Sequence, residues 1–99
     1  MKEESLAALR RFEGRSVWVT LAYGDLLLCR VDMDLEAVDA EDGRLSLVGS
    51  FRETGDLALY REVNLPLPED EEGVFVSEFG GEMRLETAEG FFLLLVPLA

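Results

Sequence analysis

The chain has 99 residues, 48% of them hydrophobic and 30% charged, which suits one domain with a single modest core and excludes a disordered chain. Acidic residues number 21 and basic residues 9, and the net charge of −12 repels nucleic acid and anionic membranes while favouring basic or metal-ion partners. Histidine is absent, and with it the commonest general base and the commonest metal ligand.

Met1-Lys2-Glu3-Glu4 is charged where a secretory leader would turn apolar, and no apolar run approaches the ~20 residues needed to span a bilayer. The lone Cys29 leaves no internal disulfide, so a cytoplasmic protein is the expectation. Arginine is greatly preferred to lysine, with a single Asn and no Gln, a composition like that of heat-adapted proteins.

Glu3 to Phe12 predicts a short helix. Glu3 and Glu4 in its first turn and Arg10 and Arg11 in its last suit the macrodipole, and Gly14 is placed for a C′ stop. Leu6, Leu9 and Phe12 share one stripe that must dock on something, because so short a helix does not stand alone.

From Ser16 the period becomes two. Val17, Val19 and Leu21 alternate with Trp18, Thr20 and Ala22, and Tyr23-Gly24-Asp25 turns the chain. A long strand follows, with Leu27, Cys29, Val31, Met33, Leu35 and Ala37 on one face. Its other face, Leu26, Leu28, Arg30, Asp32, Asp34 and Glu36, turns from apolar to acidic midway. A strand of that length predicts a bend or bulge.

Asp42-Gly43 turns into a strand over Arg44 to Phe51, and Thr54-Gly55-Asp56 turns it back over Leu57 to Val63. Residues 64–73 read as an acidic, proline-containing loop, and residues 74–96 as the C-terminal strands, Val74 to Phe79, Met83 to Thr87 and Phe91 to Val96. The last, Phe91-Phe92-Leu93-Leu94-Leu95-Val96, has no polar residue at any alternate position. It predicts a strand buried on both faces, in mid-sheet or against a second subunit. The expected architecture is one domain, all-β and mainly antiparallel. It is a hairpin-built small barrel or sandwich of six or seven strands with one N-terminal helix, four strands falling within 16–63 in two hairpins.

Within Leu6 to Leu47 the helix, Val17, Val19, Leu21 and Gly24, followed by Leu27 and Val31, resemble the first half of an Sm-like domain. That family has a short helix, an alternating first strand, a glycine three residues on and a long bent second strand. The resemblance implies a small β-barrel frame. It does not extend to RNA binding: Cys29 stands where the family's second glycine falls, Leu35 where its uridine-pocket aspartate falls and Asp39 where its asparagine falls, and no late arginine-glycine dipeptide occurs.

Asp32, Asp34 and Glu36 are the candidate metal ligands, three carboxylates on one strand face at spacings of ~6.5–7 Å. They miss the EF-hand pattern, with Ala37 where glycine is needed and Gly43 where glutamate is; a solvated acidic face is the plainer reading. Glu69, Asp70, Glu71 and Glu72 are candidates for docking a basic protein partner. Cys29, with no histidine in the chain and Arg30 on the opposite face, reads as core. Trp18 and Tyr60 could stack a ligand, or Trp18 could cover the sheet's second side. Phe91, Phe92, Leu94 and Trp18 are the expected contacts of a homo-oligomer, since a small sheet with one helix cannot cover apolar surface on both its faces. No phosphate loop, nucleophile elbow or paired cysteine occurs, so no catalytic residue and no cofactor is expected. The composition favours a non-enzymatic, self-associating interaction module with an acidic surface for a basic partner. The alternatives are an Sm-like nucleic-acid-related protein or acidic nucleic-acid mimic, and a carboxylate-based divalent-metal protein.

Overall fold

A computed structural model describes residues 1–52 and 58–98. The chain begins with helix α1 (Glu3–Arg10) and continues through seven strands: β1 (Ser16–Tyr23), β2 (Leu26–Glu41), β3 (Arg44–Arg52), β4 (Ala58–Pro66), β5 (Val74–Phe79), β6 (Glu82–Thr87) and β7 (Phe91–Pro97). The strands form one antiparallel sheet in the order β4-β3-β2-β1-β7-β6-β5. Two meanders, β1 to β4 and β5 to β7, are thus joined where β7 pairs with β1. The expected all-β, hairpin-built fold with one short helix is what the chain adopts. The expected turn Thr54-Gly55-Asp56 and the start of its return strand at Leu57 lie outside the described residues.

The hairpin turns follow from their residues. Asp42 and Gly43 both take positive φ, 52° and 74°, and so do Gly80 and Gly81, at 62° and 83°. Two consecutive left-handed residues suit the right-handed twist of the strands they join, and Asp-Gly and Gly-Gly reach that conformation with little or no strain.

Among the described residues, seventeen hydrophobic side chains form one buried cluster drawn from α1, the turn after it and all seven strands. Its rows run straight across the sheet: Cys29, Leu21, Leu93, Leu85 and Val76 in one, Val31, Val19, Leu95 and Met83 in the next. An eight-residue helix is too small to cover a seven-stranded face by itself. Each fully buried leucine in it contributes about 1.5–3 kcal/mol relative to exposure.

The helix is shorter than its sequence predicts. It ends at Arg10, Arg11 caps it, and Phe12 to Arg15 form a turn in which Gly14 takes φ 82°. Gly14 is therefore not the C′ residue. Its N–H donates to Leu35 O at 2.8 Å, and Leu35 N–H donates to Arg15 O at 2.9 Å, tying the turn to β2. Leu9 and Phe12 sink into the core, and Arg10 reaches β2, donating from Nε to Val38 O at 2.9 Å and pairing with Asp39 at 3.0 Å.

The bend expected in β2 is two bulges, one at Leu28 and one at Glu36. Each inserts a residue and reverses the alternation beyond it. Val38, rather than Ala37, therefore points into the core, and Leu27 leaves the face predicted for it and lies 52% exposed opposite Ala22. The predicted loop over 64–73 is shorter too, because β4 runs on to Pro66. Proline is tolerated there because β4 is an edge strand. The Leu67 N–H to Gly43 O bond sets the ladder phase so that Pro66 needs no donor toward β3.

Candidate interaction surface

The sheet's outer face carries the side chains left over from the core. Cross-strand register arranges them in rows. Leu27, Ala22, Phe92, Glu86 and Phe75 form the first, Arg30, Thr20, Leu94, Arg84 and Ser77 the second, and Asp32, Trp18 and Val96 the third. The centre of this face is apolar and only half covered. Phe92, Leu94 and Val96 are half-buried, Trp18 is 41% exposed and Phe75 60%. The expectation that β7 is hidden on both faces is therefore met on one side alone. Leu93 and Leu95 are fully buried, whereas the outer side chains stay partly open within a single chain.

Of the expected oligomer contacts, Trp18, Phe92 and Leu94 share this face. Phe91 does not. It follows the inward parity of Leu93 and Leu95 and packs at the sheet's end against Tyr23, ring centroids 4.8 Å apart at 52°. Trp18, Thr20, Arg30, Leu94 and Val96 line a shallow depression of about 290 Å³. That is at the lower limit for small-molecule sites and better suited to receiving one protruding side chain. Tyr60, on edge strand β4, is three strand spacings from β1, ~14 Å, so it makes no common stack with Trp18.

At the β1–β2 tip, Tyr23, Leu26, Leu27 and Leu28 are all about half exposed or more. Sequence reasoning missed this patch because a bulge leaves no mark in an apolar run. It also missed Phe75 and Phe79, 60% and 81% exposed, although their alternation with Val74 and Val76 already placed them on the opposite face.

Asp32 and Asp34 lie on the outer face, and Glu36 is the residue at the bulge. The Asp34 carboxylate accepts a hydrogen bond from Ser16 Oγ. Among the described residues no three possible metal ligands converge. Cys29 is half-buried against the core, in the row of Leu21 and Leu93.

The acidic run is an ordered turn. Glu71–Gly73 forms a single 3-10 turn, Asp70 caps it by accepting from Glu72 N–H at 2.9 Å, and Glu72 pairs with Lys2 at 3.0 Å. The hydrogen bond and the charge of Glu72 raise the Lys2 pKa above its ordinary value. Glu69, Asp70, Glu71 and Glu72 stay exposed at the head of β5.

No protein-family model, curated protein or solved structure matches the chain. No helix among the described residues is long and apolar enough to cross a membrane.

Proposed function

We propose that this protein is a non-enzymatic interaction module that pairs with a second copy of itself through the outer face of β1 and β7 and offers an acidic surface to a basic partner. The observation that carries the reading is the half-covered apolar centre of the sheet. Trp18, Phe92, Leu94 and Val96 lie side by side on the paired strands β1 and β7, and none of them is fully buried among the described residues. A contiguous apolar patch rimmed by Asp32 and Glu86 has the composition of an interface, with aromatic residues in it and charge at its edge. A symmetric dimer is the simplest assembly that covers one patch with an identical one. The free, half-buried Cys29 suits a reducing compartment such as the cytoplasm.

Light scattering tests the reading. A dimeric mass that falls to the monomer in Leu94→Glu, with an unchanged melting temperature, supports it; a wild-type chain that stays monomeric at high concentration overturns it. The nucleic-acid alternative rests on the Sm-like order of α1, β1 and bent β2. Two arginines of the outer face, Arg30 and Arg84, are three strand spacings apart, ~14 Å, and Arg44 stands opposite Glu41, so the arginines described make no continuous basic strip.

A further inference from the structure

We infer that the free edge of β5 is a docking site for an extended, basic protein segment, which adds to the sheet as an eighth strand. This deepens the acidic-partner half of the reading above and does not depend on self-association.

The ladder phase shows which backbone groups are free. Ala88 N–H donates to Gly73 O at 2.8 Å. In an antiparallel pair, alternate residues direct both backbone groups to the same side. Phe75, Ser77 and Phe79 therefore face β6, while Val76 and Glu78 direct their N–H and C=O groups away from it. β5 is the last strand of the sheet on that side. Among the described residues no hydrogen bond reaches the backbone N–H or C=O of Val76 or Glu78; the bond that Arg11 donates to Glu78 ends on the side-chain carboxylate. A row of such groups is a template for another strand.

The edge opens into a groove whose other wall is α1, lined by Lys2, Glu4, Ser5 and Ala8 against Val74, Phe75 and Val76. The helix is held beside β5 by ion pairs at both ends, Lys2 with Glu72 at 3.0 Å and Arg11 with Glu78 at 2.8 Å.

Charge selects the occupant. Glu3, Glu4 and Glu71 line the adjoining depression, and Glu69 and Asp70 stand just beyond. Of the cations nearby, the side chains of Lys2 and Arg11 are already paired with Glu72 and Glu78. A second copy of β5 would bring the same carboxylates against themselves, so the edge favours a cationic strand over its own kind. Residues alternating between apolar and basic would meet Val76 and Ala8 with one side and the carboxylates with the other.

The probe is a ten-residue peptide of alternating lysine and valine, with a control peptide N-methylated at every second residue. The expected results are at least tenfold slower amide exchange at Val76 and Glu78 with bound peptide, and at least tenfold weaker binding of the methylated control. Glu69→Lys/Glu71→Lys should weaken binding at least tenfold at low salt, and Val76→Pro should do so with an unchanged far-ultraviolet spectrum. Absent binding overturns the inference. So does equal binding of the methylated peptide without protection at Val76 and Glu78, which is adsorption to an acidic surface. Light scattering on the peptide-free samples reads self-association separately. A dimer that ignores the peptide overturns the edge site alone, and a monomer that binds it overturns the dimer alone.

Discussion

Trp18 stands opposite Val96 in the β1–β7 ladder, and Leu94 follows Val96 along the same side of β7. The indole therefore lies within the half-covered face, between Asp32 and Val96, and reports on whatever covers it. As the chain's single tryptophan it is also a clean optical probe. Its emission should shift to the blue as concentration rises into the range where light scattering reads a dimer, and to the red on dilution. Emission that is independent of concentration across a measured change in mass would place the contact elsewhere.

Leu93 and Leu94 are chain neighbours on opposite faces, one fully buried and one half-buried. Leu93→Ala should destabilise the chain by about 2–5 kcal/mol, through lost burial and the cavity left behind. Leu94→Ala should cost no more than about 1 kcal/mol in the monomer, because much of its side chain already meets water. Urea titration of both variants at low concentration checks the contrast, and similar midpoints would contradict the assigned faces.

Gly49 on β3 lies close against the backbone of β2. A Cβ at that position would meet Asp34 O at 2.5 Å and Met33 Sδ at 3.0 Å. The oxygen belongs to the backbone, so relief requires β2 itself to move. Gly49→Ala should therefore destabilise by about 1–3 kcal/mol despite the better strand propensity of alanine. A melting temperature at or above the wild type's would refute the close approach.

Lys2 ties the start of α1 to the turn before β5 through Glu72. Its pKa is raised in the folded state, first by the hydrogen bond it donates to Glu72 and then by that residue's charge. A raised folded pKa means a contribution that is complete below the ordinary lysine value of 10.5 and lost as pH climbs through the folded value. Because both side chains face solvent, the effect on stability is small and salt-sensitive. Titration followed by NMR at Lys2 Nζ should read above the ordinary value, and Glu72→Gln should lower it. An unchanged titration in that variant would remove Glu72 as the cause.

The strands were legible in the sequence wherever one face is dry and the other wet. Val17, Val19 and Leu21 alternate with Trp18, Thr20 and Ala22, and the ladder places them as that period requires. The turns were legible because Asp42-Gly43 and Gly80-Gly81 accept backbone angles that most residues resist. The helix end was less so. Gly14 looks like a stop signal, but its N–H serves Leu35 across the fold.

Of the candidate surface, the sequence marked Trp18, Phe92, Leu94 and the acidic run, and misplaced Phe91 and Leu27. Phe91 looks continuous with an apolar hexamer, but its parity sends it inward to Tyr23. Leu27 looks like core until the bulge at Leu28 turns it out.

By itself the sequence determined the all-β class, the hairpin order, the inward-facing leucines and the acidic charge, since each depends on residues close together along the chain. The tertiary structure alone decided which strands became edges, where β2 bulges, and that the acidic turn lies beside an open strand and a helix. Those outcomes come from pairing residues far apart in the chain, and local pattern cannot specify it: β5 lies at the margin because β7, rather than β5, pairs with β1.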